Sequence, residues 1–491
     1  MGRWLGLLVG ALLALPASAQ APRDNLVLGM QLEPPHLDPT GGAAGAIREV
    51  TYSNLYESLT RIDRAGGVQP GLAESWTLSP DALTYTFKLR SGVVFHDGTP
   101  FDASIVKFTL ERALAPDSTN AQKQLFAPIA KVETPDPMTA VVTLKQPTAN
   151  FLYNMGWGDA VMMAPNSVAT NKTNPVGTGP FKFERWARGD RVELVKNPGY
   201  RNAAAIKLNR VTFRFIADPQ AGIAALQAGD VDAFANVAAV EAIDQFKRDA
   251  RFKVVVGNTE GETIVAINNA KAPLNDVRVR RALAHAIDRK AIIDGAMSGL
   301  ATPIGSHFSP IHPAYVDLTG RYPHDPALAK KLLAEAGQSN LSLTLHLPPP
   351  AYARRSGEIV AAYLGQVGVK VTLIPIEFPQ WLDQVFKRKD YDLTIIAHTE
   401  PLDIDIYARD DYYFNYRSQP FKELIATIAR TGDPAARNQL YGDAQRMLAD
   451  DCVNLFLFQL PKLGVWNARL DGLWENSPLQ ANDVTGVSWR P

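Results

Sequence analysis

The runs "LSLTLHL" (Leu341–Leu347), "VKVTLIPI" (Val369–Ile376) and "YDLTIIA" (Tyr391–Ala397) are short, apolar and rich in β-branched residues. Each reads as a strand. Helical segments around Arg354–Gln366 and around Gln380–Lys389 separate them, so the region is a β-α-β-α-β unit. Such a unit predicts a parallel, helix-covered sheet with right-handed crossovers. The same texture recurs nearer the N-terminus. There "NLVLGM" (Asn25–Met30), "RVTFRFI" (Arg210–Ile216) and "VDAFA" (Val231–Ala235) are strands, and a helix starts at Pro219. The chain therefore reads as two α/β lobes.

A different pattern lies between the two halves of the first lobe. "LTYTFKLRSGVVFHDGTPF" and "KVETPDPMTAVVTLKQP" read as antiparallel strands with Gly and Pro turns. They predict a mostly β inserted domain from Arg61 to Asn174. Helix starts are explicit. Asp218-Pro219, Asp325-Pro326 and Asp433-Pro434 each put an N-cap aspartate before a proline at the first helical position. Asp102 caps "ASIVKFTLERAL", and Asn275 or Asp276 caps "VRVRRALAHAIDRKAIIDGA", expected as one helix.

The N-terminus has the parts of an export signal: Arg3, an apolar core from Leu5 to Leu15, and the small-x-small pattern Ala17-Ser18-Ala19 before Gln20. No cysteine follows at once, so a soluble periplasmic protein without a lipid anchor is expected. The single cysteine, Cys452, sits in "CVNLFLF" and reads as a small buried hydrophobe. The chain has 50 basic and 50 acidic side chains. That balance argues against nucleic acid or an anionic membrane as partner.

Ligands of open α/β sheets bind outside the carboxyl ends of the strands. The last strand of the opening unit leads into "HTEPLDID", which places His398, Glu400 and Asp403 on that edge. The strand ending at Met30 runs into "QLEPPHLDP", carrying Gln31, Glu33 and His36, and Asn236 follows Ala235. Glu400, His398, Asp403, Glu33 and Asn236 are expected as polar groups of the ligand cleft. Trp157 and Tyr352 are expected as stacking surfaces, with Tyr413 and Tyr416 as further apolar walls. Enzyme signals are poor. Ser104-Ile-Val-Lys107 has no K-T-G after it, and there is no G-x-S-x-G, H-E-x-x-H or Walker A pattern. Eight scattered histidines and one cysteine offer no zinc spacing, so neither a metal site nor a cofactor is expected.

Six motifs in order carry a resemblance. They are "LAESWTLSPDALTYTFKLRSGVVFHDGTPFDASIVKFTLERAL", "PVGTGPFKFERW", "GIAALQAGDVDAF", "NDVRVRRALAHAIDRKAII", "DPALAKKLLAEAG" and "LGQVGVKVTLIPIEFPQWLDQV". Over essentially the whole mature chain they resemble the family 5 extracellular solute-binding proteins, the dipeptide-, oligopeptide- and nickel-binding components of ABC importers. The resemblance implies a two-lobed periplasmic-binding-protein fold (type II, cluster C) with the extra domain grown from the first lobe.

By that mapping residues 20–60, 175–267 and 467–491 form lobe I, 61–174 the insertion and 268–466 lobe II. The hinge crossings then fall near Asn268-Asn269 and near Gly464 to Asn467. The resemblance further implies a monomer that captures a peptide or peptide-like solute and hands it to an inner-membrane permease. The resemblance implies Glu400 as the clamp for a ligand's positive charge, since it stands near the family's amine-pairing acid, with His398 near its tryptophan and Asp403 and Asp405 matching the acids that follow. No counterpart stands for the arginine that dipeptide binders use against a carboxylate, and Arg354-Arg355 match a helix start. A nickel-chelate receptor is the alternative within the family, and a secreted hydrolase the alternative outside it.

Overall fold

The computed structural model describes residues 23–42, 44–237, 239–400 and 402–490, so the expected export signal lies outside the described residues. A seven-stranded sheet runs in the order Phe252–Gly257, Lys462–Asn467, Ala233–Phe234, Asn25–Met30, Arg210–Phe215, Arg191–Lys196, Phe181–Ala187. Asn25–Met30 pairs in parallel with Arg210–Phe215 on one side and Ala233–Phe234 on the other. In Arg210–Phe215, Val211 and Phe213 are fully buried while the arginines flanking them are not. Burial of each such side chain contributes about 1.5–3 kcal/mol.

A six-stranded sheet runs Thr302–Pro303, Asn454–Gln459, Glu262–Ile267, Leu393–His398, Ser342–Leu347, Lys370–Pro375. Ser342–Leu347 is parallel to both Lys370–Pro375 and Leu393–His398, as the β-α-β-α-β unit requires. Both sheets are mixed rather than parallel throughout, because strands returning from the other sheet add antiparallel neighbours. Glu262–Ile267 is buried at all six positions, so it has no alternation by which to be recognised. A four-stranded antiparallel sheet, Ala73–Leu78, Thr84–Leu89, Thr139–Leu144, Ile129–Asp136, lies within the expected insertion. The helix Ala103–Leu114 packs on it, capped by Asp102.

The chain passes between the two large sheets at residues 258–261 and again at Leu460-Pro461. This corrects the expected crossings. Asn268-Asn269 follow a strand that already belongs to the second sheet, and Gly464 to Asn467 lie inside a strand of the first. The two crossings are tied together: Leu460 N donates to Gly261 O at 2.7 Å, and Thr259 Oγ1 donates to Leu460 O at 2.6 Å.

One other expectation changes in detail. The segment from Val277 forms two helices, Val277–Ala286 and Arg289–Met297, because Ile287 is extended and Asp288 accepts from Lys290 N and Ala291 N to cap the second. Gly177 and Gly179 have no positive φ. Glycine is required there by close approach, since a Cβ would stand 2.0 Å from Leu55 O and 2.5 Å from Asn54 O.

Candidate functional site

The second lobe brings a set of ionisable groups to the crossings. His398 ends its strand, directly opposite Glu262 on the neighbouring one. Its Nε2 lies 2.9 Å from Tyr413 OH, and the two rings stack. Burial lowers the His398 pKa, opposed by the Asp403 and Glu400 carboxylates. The loop after the strand carries Asp403, whose Oδ1 lies 2.9 Å from His307 Nε2. The other nitrogen of that ring, Nδ1, lies 3.0 Å from Glu262 Oε1. Burial drives His307 down to about 3 and holds the Glu262 carboxyl well above the usual carboxylate range. Asp403 is pushed up to about 8 by burial, with Glu400 and Asp405 adding and His398 opposing. Glu260, which accepts from Ser309 Oγ at 3.3 Å, is pushed up to about 7 by burial. Among the described residues no lysine or arginine pairs with Glu260, Glu262, Glu400 or Asp403. Such a wall favours a positive charge brought by something else.

The first lobe and the insertion supply the facing wall. Arg48 Nη1 pairs with Asp159 Oδ2 at 3.1 Å, with both side chains at most 4% exposed. Arg48 Nη2 also donates to Gln480 Oε1 at 3.1 Å, and Gln480 Nε2 donates across the gap to Thr399 Oγ1 at 3.3 Å. Burial pushes Asp159 up to about 6 against the pull of Arg48, and the Glu400 charge adds to the rise. Trp157 is buried with Tyr52, Trp474 and Leu479. Arg48 and the Trp157 side chain both oppose the rise at Asp159, and Arg48 Nε is buried without a hydrogen-bond partner. One wall thus holds carboxylates without cations, and the other holds an arginine already paired with Asp159 and Gln480.

The expected residues are distributed unevenly. His398, Glu400 and Asp403 come together, each offering a ligand atom within 4.8 Å of the others. Trp157 lies on the facing wall. Tyr352 OH accepts from Ala397 N at 3.0 Å and so anchors the end of the strand that carries His398. Asn236 Oδ1 accepts from Leu463 N at 3.1 Å, and with Gln31 it borders a small apolar cavity of the first lobe. Glu33 accepts from Trp186 Nε1 at 2.9 Å and from Gly189 N at 3.1 Å, which ties a loop to a hairpin. Tyr413 lies behind His398, and Tyr416 bonds Asp451.

Glu260, Glu262, His307, Arg48, Asp159 and Gln480 were not anticipated. One sequence signal was present for Glu262: it stands at the head of the apolar run "TIVAI", where a buried strand start needs a polar partner.

Comparison with known proteins agrees with this architecture. The model for bacterial extracellular solute-binding proteins, family 5 Middle, matches residues 67–419. The chain belongs to this family. A glutathione-binding protein GsiB from Escherichia coli O6:K15:H31 is 29% identical over 488 residues, covering 95% of each chain. The periplasmic binding protein DppA from Helicobacter pylori, solved with the peptide STSA, superposes with a TM-score of 0.84 at 24% identity, over 96% of this chain and 99% of that one. NikZ from Campylobacter jejuni, solved with Ni(L-His), gives 0.80 at 23% identity, over 95% and 100%. These structural likenesses establish the two-lobed fold. The family is one of extracellular solute-binding proteins, and DppA is a periplasmic binding protein associated with an ABC transporter. Among the described residues no helix is long and apolar enough to cross a membrane.

Proposed function

We propose that this family 5 solute-binding protein is a periplasmic receptor that captures a peptide or peptide-like solute bearing a free amino group and delivers it to an ABC permease. One observation carries the reading. Glu400 and Asp403 meet at the crossings with no lysine or arginine among the described residues paired to them, facing a wall that carries Arg48 and Trp157. A buried ammonium needs a carboxylate partner, and peptide carbonyl groups need N–H donors. The two walls complement those two ends of a peptide-like molecule.

Capture is a population shift. Solute contacts made by both walls favour the closed arrangement by the difference in affinity between states. His398 orients the edge through Tyr413, and Tyr352 fixes the strand behind it. In this reading no bond is made or broken, and the protein acts as a monomer. The peptide and glutathione relatives support it. The nickel neighbour favours a second reading, a metal-chelate receptor.

Calorimetry on the mature protein separates them, using dipeptides, oligopeptides, glutathione, and nickel with and without histidine. Saturable binding of amine-bearing peptides supports the proposal. Binding of the nickel–histidine complex alone, or turnover of any peptide, overturns it.

A further inference from the structure

The insertion is fastened to the first lobe at several points. Thr60 Oγ1 donates to Leu152 O at 2.6 Å, and Arg112 Nη1 donates to Thr40 Oγ1 at 2.8 Å. The His96 ring spans Gly177 N at 3.2 Å and Gly179 O at 3.0 Å. These ties make the insertion and the first lobe one body when the halves swing.

The insertion also reaches across to the second lobe. Asn150 Nδ2 donates to the Tyr441 hydroxyl at 3.2 Å. Tyr441 lies on the helix Pro434–Asp450 and is 5% exposed. Phe308 and His312 of the same lobe meet its ring edge-on, with centroids 5.3 and 6.0 Å away, so the ring is fixed and its hydroxyl is presented to the insertion. One turn earlier on that helix, the Arg437 charge acts on Tyr85 of the insertion, whose ring packs on Phe151 at 4.9 Å. Asn150 occupies the N-cap of the short helix Phe151–Asn154, where an asparagine side chain ordinarily accepts from a backbone N–H of the first turn. Here it makes no such bond and gives its amide to the other lobe instead. The Glu260 charge acts on Tyr153, so this short helix lies over the acidic floor. At the rim the first and second lobes meet directly through Glu241 and Arg355, 3.7 Å apart, but that pair is about half exposed and screened by solvent.

We propose that the insertion is a third jaw of the receptor, with Asn150 latching onto Tyr441 and holding the insertion against the second lobe in the solute-free protein. A sheltered hydrogen bond between two otherwise separate bodies favours the arrangement in which it is made. Opening the cleft breaks it, so a captured solute leaves only after the latch has parted. The inference rests on capture between two lobes. The latch is read without any solute, so its failure leaves the proposed solute class standing.

Spin labels at Gln146→Cys and Asp443→Cys, both exposed positions, report the separation of the insertion from the second lobe by pulsed electron paramagnetic resonance. Cys452 is buried and stays unlabelled. The mature protein is dialysed free of solute. With Asn150 and Tyr441 intact, a population at short separation is expected, a readout that does not depend on the latch variants folding. Tyr441→Phe keeps the ring and removes only the hydroxyl, and Asn150→Ala removes the amide without removing a cap bond. Each is expected to raise the ratio of long to short separations about two- to tenfold. The double variant should change it no further than either alone, because both act through one contact, an equality that separate structural roles would not give. A single long separation in the protein with the latch intact, an unchanged ratio in both single variants, or additive effects in the double variant overturns the latch.

Discussion

Glu262 and His398 are register partners across the antiparallel strands Glu262–Ile267 and Leu393–His398, so their side chains emerge on the same face at the mouth of the hinge. One residue directly follows a crossing, and the other ends the strand whose loop carries Glu400 and Asp403. The pairing therefore fixes the base of the cleft with backbone hydrogen bonds rather than with loop contacts.

Replacing Glu400 tests the charge clamp. Glu400→Gln keeps the side-chain shape and removes the charge. Affinity for an amine-bearing solute is expected to fall by about 2–5 kcal/mol, read by calorimetry. Unchanged affinity would remove Glu400 from the site.

Stability should depend on pH in a defined window. Asp403 and Glu260 have folded pKa values raised to about 8 and about 7 by burial, whereas exposed carboxyls in the unfolded chain titrate near their ordinary values. Their stabilising contribution is full below the unfolded pKa and is lost as pH rises through the folded one. His307, His312 and His96 are lowered to about 3, 4 and 4 by burial, so their contribution is lost in the opposite direction, as pH falls below about 6.5. Above that pH these carboxyls still act. The melting temperature of solute-free protein is expected to fall from pH 6.5 to 8, and Asp403→Asn or Glu260→Gln should flatten the fall. An equal slope in both variants would rule out these groups as its cause.

The buried pair on the facing wall gives a third test. Arg48→Met leaves Asp159 without its partner in a dry site and is expected to cost about 3–5 kcal/mol in denaturant unfolding. Asp159→Leu added to it should restore most of that loss, because the unpaired carboxyl is gone. A double variant as unstable as the single one would show that packing around Arg48, and not its charge, matters.

A fourth concerns closure. Gln480 joins Arg48 on one side to Thr399 on the other, 3.3 Å away. Gln480→Ala should disfavour the closed arrangement by about 0.5–1.5 kcal/mol, visible as a larger radius of gyration by small-angle scattering. An unchanged radius in the solute-free protein would contradict this.

The sequence makes the parallel cores legible because Leu343, Leu345 and Leu347 alternate with less apolar neighbours and the helix before them opens on the cap Asp325. It does not reveal the strands beside the crossings. Glu262–Ile267 and Asn454–Gln459 are buried on both faces, so periodicity is lost and the expected hinge falls too late in the chain. The site is half legible. His398, Glu400 and Asp403 follow one strand and can be read from its edge, whereas Glu262 and His307 join them only through tertiary contacts. Glu33 shows the converse: a strand-edge acid taken up by a local tie to Trp186.

The two crossings are stitched to each other by Thr259, Gly261 and Leu460, so they act as one pin rather than two independent strings. Points close to a pin travel least when the halves swing. Glu260, Glu262 and His398 adjoin it, so the acidic floor should keep its geometry in the open form while Trp157 and Arg48 sweep in from farther out. An arriving solute would then find its anchor already assembled, and only the roof would have to move.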